Sequence, residues 1–267
     1  MIPSEVEWLE ADGLGGFATG SSSTIPVRRY HGLLAVALAP PVKRFMLVNA
    51  VEVWLEVSNQ RYPLSTFQYG GGTLHPNGMQ HISSFKAEPC PHWQYQAGDV
   101  TLSYKIVVPR GSPLVTLSWK KESGPECRLI VRPLISERDI HSSQHANSST
   151  DLSATFLHDS VSWQPYKALP PIFSVSNGSY HHEPIWFYNF LYAEEIARGY
   201  DGTEDLASPG IFSFDLGEKE AFLAFTSMPA PALSSTIELR DRELKRRSAL
   251  PSVFHRSSEA FIVQRGA

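Results

Sequence analysis

The stretch Ser83–Glu122, SSFKAEPCPHWQYQAGDVTLSYKIVVPRGSPLVTLSWKKE, decides the fold class. It reads as three β-strands, with turns at Ala97-Gly98-Asp99 and at Pro109-Arg110-Gly111-Ser112-Pro113. Upstream, YHGLLAVALA from Tyr30 and RFMLVNAVEVWLEV from Arg44 are β-like runs. The second alternates through Phe45, Leu47, Val51, Val53, Leu55 and Val57, with one phase slip near Asn49. Downstream come ECRLIVRPLI, ATFLHDSVSWQPY, PPIFSVSNGSY and PIWFYNFLY, with Asn177-Gly178 placed as a hairpin signal between two runs. GIFSFDLGEKEAFLAFTS reads as the last strand pair. Strands this dense, cut by turns at nearly regular intervals, predict an all-β fold. The expected architecture is a large antiparallel β-sandwich, or supersandwich, over residues 1–233.

Residues 234–267 change character and read as a short helical C-terminal linker. STIELRDRELKRRSAL offers Ser235 or Thr236 as N-cap and carries charges at helical spacing. Pro251 interrupts it, and SSEAFIVQRGA from Ser257 reads as the start of another helix.

The bulk numbers exclude several classes. The chain has 267 residues, 42% hydrophobic and 19% charged, which describes a folded globular protein with a sizeable core. A formal net charge of −4 leaves no basic surplus for a nucleic-acid partner. Two isolated cysteines, Cys90 and Cys127, make neither a disulfide framework nor a zinc knuckle. No signal-peptide pattern opens the chain and no apolar run matches a bilayer, so a cytoplasmic location without membrane contact is expected. Aromatic residues, at 11% of the chain, permit carbohydrate stacking and equally suit a sandwich core.

GLGGFATG at Gly13–Gly20 raises the question of phosphate binding. The sequence answers no: a dinucleotide loop opens a helix, and Ser21-Ser22-Ser23-Thr24 with Pro26 is poor helix material. A P-loop needs a lysine that this loop lacks. No cofactor is expected. Glycine here serves positive φ angles and close packing, which makes Gly13, Gly15 and Gly16 a structural loop.

Glycoside hydrolysis needs two carboxyl groups facing one bond. The richest acidic region holds Glu194, Glu195, Asp201, Glu204 and Asp205, with Arg198 available as a partner. Strand-and-turn geometry keeps all five from converging, so a structural or interface network is expected rather than catalysis. His141 and His145 have the spacing of a zinc pair in HSSQH, yet the segment is loop-like. His181 and His182 point to opposite faces of a strand. No third ligand is evident, and no metal is expected.

Taken together, EWLEADGLGGFATGSSSTIPVRRYHGLLAVAL resembles the opening of the bacterial and archaeal glycogen debranching enzyme family. The matching residues include Glu7, Trp8, Leu9, Gly13, Gly15, Gly16, Phe17, Arg28, Arg29, Tyr30, His31, Gly32, Leu33 and Leu34. RPLISERDIH (Arg132–His141) and WFYNFLYAEEIARGYDGTEDLASPGIF (Trp186–Phe212) are similar to later segments of the family, and AFIVQR resembles the run before its helical domain. Asp12 stands where the family more usually has asparagine. The resemblance implies an N-terminal β-sandwich whose partner in cis is an (α/α)6 barrel carrying the catalytic carboxylates. It implies no catalytic residue in this chain and an α-glucan ligand, glycogen or a branched maltooligosaccharide. It also places Arg29, Tyr30, His31, Arg138, Asp139 and His141 at the domain interface or the rim of the substrate cleft. His31 has a second reading as a buried histidine satisfied by backbone, and the Arg138–Asp139 pair one as a structural brace.

Two other functions stay open on the residues. An independent carbohydrate-binding module needs an exposed aromatic platform, with Trp93, Trp163 and Trp186 as candidates. A mutarotase-type sugar isomerase needs histidines and a glutamate in one open cleft. An apolar surface near the glycine loop and the C-terminal helix would favour the accessory domain.

Overall fold

The computed structural model of the chain describes residues 6–157 and 160–264. Two eight-stranded antiparallel sheets stack face to face, so the all-β sandwich read from the sequence is what forms. The first sheet runs, in spatial order, Glu7–Ala11, Phe17–Ser21, Gly32–Ala39, Val42–Val57, Cys127–Asp139, Thr203–Leu216 and Ser179–Leu191, with Gln60–Pro63 added on Val42–Val57. The second runs Ala154–Leu157, Ser160–Trp163, Ile172–Ser176, Ala221–Thr226, Leu114–Ser123, Val100–Val107, His92–Ala97 and Ile82–Lys86. A short hairpin, Thr66–Gln68 with Leu74–Asn77, covers part of the first sheet's outer face over Ala50, Leu134 and Leu206.

Alternation fixes which side chains meet between the sheets. Val53, Leu55, Leu129, Val131, Phe212 and Phe214 of the first sheet share one core with Leu102, Leu117, Leu223 and Phe225 of the second. Each such burial contributes about 1.5–3 kcal/mol. Trp93, Tyr104 and Trp119 stack in a row, with centroids 5.2 and 4.7 Å apart.

Among the described residues three α-helices punctuate the sandwich: α1 (Ala193–Ala197), α2 (Leu233–Ser248) and α3 (Val253–Glu259). Leu233, Ile237 and Leu239 of α2 pack on Phe222 and Ala224, which covers the outer face of Ala221–Thr226 and explains that strand's unbroken apolar run. The other buried positions of α2 are Thr236, Arg240, Glu243 and Arg247, a polar stripe at helical spacing. Arg247 meets Glu10, donates to Val108 O at 2.8 Å and pairs with Glu243 at 2.7 Å.

Several local expectations need correction. Ser83–Glu122 holds parts of four strands, because Pro89 and Pro91 cannot donate to a ladder and split the first run in two. Asn177-Gly178 is no hairpin: Ile172–Ser176 pairs in the second sheet and Ser179–Leu191 in the first. The dipeptide carries the chain between sheets, and the Asn177 side chain fixes the crossing by accepting from Phe222 N and donating to Glu220 O, both at 2.8 Å. The segment around Gly217 does the same, so Thr203–Leu216 and Ala221–Thr226 are not a pair but lie in opposite sheets. Neither Ser235 nor Thr236 caps α2. The helix starts at Leu233 because that side chain must reach the Phe222 cluster, and Thr236 Oγ1 instead donates to Ala232 O at 3.1 Å. The last helix starts at Val253 behind the Ser252 cap, so Ser257 ends it rather than begins it.

Candidate functional site at one end of the first sheet

The phase slip near Asn49 marks a real defect in the ladder. Leu134 pairs with Ala50 and Ile135 with Val48, so Asn49 is passed over. Two further irregularities follow on neighbouring strands. Ser136 and Glu137 together oppose Leu47 alone, and Tyr188 and Asn189 oppose Asp205 alone. These are two-against-one bulges, which bend a strand and re-aim its side chains. Each contains a left-handed residue, Glu137 at φ 54° and Asn189 at φ 62°. Asparagine tolerates that conformation, whereas glutamate there is a local strain.

The bulges converge on Glu204, which is fully buried. Arg138 grips it through Nε and through Nη2 at 3.1 Å, and Tyr192 donates its hydroxyl. Gln144 N donates at 3.0 Å and Asn49 Nδ2 at 3.3 Å. Asp205 beside it accepts from Asn189 N at 2.8 Å and Ala146 N at 3.0 Å. A carboxylate pair so fully occupied cannot address a glycosidic bond. Its effect is to tie the 140–147 loop and the α1 turn to the sheet.

Arg29 continues the network outward. Its guanidinium donates to His141 O at 2.8 Å and Asp201 O at 3.1 Å, and sits 3.3 Å from Glu195. It also lies over the Tyr200 ring, 5.7 Å from the centroid. Arg138 Nη2 donates to Arg29 O at 2.6 Å. Tyr30 OH lies 3.1 Å from His141 Nδ1, edge-on to that ring. Asp139 accepts from His141 N at 2.8 Å and so shapes the turn. The Arg138 side chain pairs with Glu204 and meets only the backbone of Asp139, which corrects the expected Arg-Asp brace.

Arg29, Tyr30, Arg138, Asp139 and His141 thus belong to one contiguous network. His31 stands apart. It is buried, Nδ1 accepts from Val27 N at 3.3 Å, and Nε2 lies 3.7 Å from Glu7. It borders an aromatic-lined cavity of about 70 Å³ between the sheets, together with Trp8, Trp93, Tyr104, Trp119 and Thr24. Among the described residues no acidic side chain lines that cavity, and Glu7, the carboxylate beside His31, is not part of its wall, so the pairing an isomerase requires is not found in the cavity. Among the proposed platform tryptophans, Trp93 and Trp163 are buried and Trp186 packs half-buried on the core. His145 lies 3.6 Å from Asp205 and 3.9 Å from Asp201, apart from the His141–Tyr30 contact. Among the described residues no cluster of three histidine, cysteine or acidic side chains is arranged to hold a metal.

Glu137 is the outlier in electrostatics. Burial pushes its pKa up to about 8, against one opposing bond from Tyr166 N, and its Oε1 is buried without a partner. Sequence reading missed Glu137, Tyr192, Gln144 and Tyr200 as parts of this site. The local signals pointing to it were the slip at Asn49 and the acidic run holding Glu195, Asp201, Glu204 and Asp205.

The glycine loop turns between the first two strands. Asp12 Oδ1 accepts from Leu14 N at 2.7 Å and Gly16 N at 2.9 Å, and a Cβ on Gly15 would fall 2.6 Å from Pro41 O. Gly13 O accepts from Gln264 N at 2.8 Å, and Arg110, which packs on Gly13, donates to Glu259 O and Ile262 O. The loop therefore holds the chain's own segment after α3. That segment and α3 expose Val253, Phe254, Phe261 and Ile262, with Leu9 on the adjoining first strand.

Fold and site together define a sandwich domain built around a buried ion-pair brace. The chain belongs to the family described as glycogen debranching enzyme N terminal, whose model matches residues 6–223. No curated protein matches it significantly. Among solved structures, a protein described as a kojibiose phosphorylase from human microbiome aligns at 9% identity and a TM-score of 0.33, over 94% of this chain and 34% of its own. A bacterial glucoamylase complexed with acarbose aligns at 9% identity and a TM-score of 0.39, over 98% and 38%. The chain spans little more than a third of the length of either. No helix among the described residues is long and apolar enough to cross a membrane.

Proposed function

We propose that this chain is the accessory N-terminal domain of an α-glucan debranching enzyme, docking an (α/α)6 catalytic domain in cis and forming one wall of its substrate cleft. The observation that carries this reading is the set of exposed apolar side chains at α3. Phe254 is 85% exposed and Phe261 82%, on a segment bonded at Gly13 and Arg110 to the sandwich. Large apolar groups on a rigidly anchored segment mark a protein-contact surface. The brace supports a non-catalytic role, because Glu204 and Glu195 are buried and already paired. Arg29, Tyr30, Asp139 and His141 would present the polar rim toward glucan or the neighbouring domain, with His31 and Arg138 supporting it from behind. The test is twofold. The chain alone should release no glucose from α-1,6 branch points, and it should associate with an (α/α)6 glycosidase domain of this family in a manner lost in Phe254→Ser/Phe261→Ser. Turnover by the chain alone, or association untouched by that double change, refutes the reading.

A further inference from the structure

A groove of about 460 Å³ opens at the far end of the sandwich from the Arg138–Glu204 brace. Tyr180 lines the groove, whereas Phe190, ten residues along the same Ser179–Leu191 strand, pairs with Glu204. Tyr180 pairs with Phe212, eight residues from Glu204, so at about 3.3 Å per residue the two sites are about 26 Å apart. Exposed Phe156 and half-buried Tyr180 form the groove's aromatic wall, with Phe212 buried, and Ser160 and Ser176 are its accessible polar groups, Ser174 being buried. Leu233, the first residue of α2, closes one side.

Three properties define what fits. Among the described residues the lining holds no ionisable acid or base apart from the Tyr180 phenol, whose pKa burial pushes up to about 12, and this described lining suits an uncharged complement. Phe156 is 65% exposed and its ring stands 6.0 Å from Tyr180 at 55°, a tilted pair open to solvent. The C–H face of a pyranose is flat and apolar, and fits against such a ring pair. The serines supply complementary hydrogen-bonding capacity. Ser160 donates to Leu157 O, which leaves its lone pairs as acceptors. Ser176 accepts from Gly178 N, which leaves its hydroxyl proton as a donor. Sugar hydroxyls both donate and accept, and so satisfy both kinds. The volume lies within the ordinary range of small-ligand sites, about 300–1,000 Å³. The interior cavity at His31, about 70 Å³, is by contrast too small for a sugar ring.

We infer that this groove is a neutral-sugar binding site, separate from the brace, that holds a glucose unit of an α-glucan chain. The identity of the sugar rests on the proposed function above, while the site itself rests on the groove's geometry. Such a site tethers polymer about 26 Å from the brace end.

Isothermal titration of the full chain with maltoheptaose tests it, with Phe156→Ala to remove the exposed face and Ser160→Phe to fill the groove. Both sites are at the surface, and unchanged circular dichroism certifies the fold. The expected result is at least tenfold weaker binding in both groove variants, a smaller loss than either in Tyr200→Ala at the brace end, and no dependence on salt concentration. Binding kept in both groove variants and lost in Tyr200→Ala overturns the groove and leaves the rim as the glucan contact. No binding by the wild-type chain also overturns the groove, while the docking reading stands or falls on association with the catalytic domain.

Discussion

Arg138 and Glu204 form an ion pair in which neither side chain reaches solvent, between strands that neighbour each other in space and lie 66 residues apart in sequence. A buried pair of this kind is weak in net contribution and costly to break, because removal of one partner strands the other charge in a low dielectric.

Arg138→Met should therefore cost about 3–5 kcal/mol in denaturant unfolding. Arg138→Met/Glu204→Leu should cost clearly less than the sum of the two single changes, since no uncompensated charge is left. Additive losses would show that the two groups act independently, against the geometry.

Glu137 gives a pH dependence of defined sign. Its folded pKa, about 8, lies above the ordinary value of 4.5, so the folded state holds the proton more tightly. The stability it contributes is complete below 4.5 and is lost as pH rises to about 8. Within that window the slope is about 1.4 kcal/mol per pH unit. Glu137→Gln keeps an acceptor for Tyr166 N and cannot ionise. It should match the wild type near pH 5 and exceed it in melting temperature above pH 8, and equal curves at both ends would refute the assignment.

Gly15→Ala and Gly71→Ala separate crowding from backbone preference. Both glycines are left-handed, at φ 102° and 79°, but a Cβ on Gly15 meets the Pro41 backbone and one on Gly71 meets open space. Gly71→Ala should cost about 1 kcal/mol. Gly15→Ala should cost at least about 2 kcal/mol more, since backbone rather than a flexible side chain must shift. Comparable melting temperatures would contradict the packing described for the loop.

Thr24 combines two penalties: a β-branched residue at φ 67° and a buried Oγ1 without a partner. Thr24→Gly removes both, worth about 1–2 kcal/mol for the conformation and about 1–3 kcal/mol for the hydroxyl. The added chain entropy of glycine offsets about 1 kcal/mol. A net rise in stability is expected by thermal unfolding. A fall would mean that the Thr24 methyl packs into the His31 cavity more productively than the backbone is strained.

Period-two alternation is a local property, so the sequence by itself determined the sandwich, most strand positions and the slip at Asn49, now seen as a ladder defect. Turn chemistry was legible where the turn is local, as at Gly98, and misleading where the chain changes sheets. Asn177-Gly178 has hairpin composition, yet its flanking strands pair elsewhere. Pairing is decided by which apolar faces can be buried together, and that depends on residues dozens of positions away. Charge was the least legible feature. The charges of α2 were legible only as helical spacing in a linker, whereas Arg240, Glu243 and Arg247 form its buried stripe. A glutamate looks the same in sequence whether water or an arginine satisfies it. Tertiary structure alone gave Arg138 its partner, because only the completed sheet brings Glu204 into reach and excludes the water that would have competed for both.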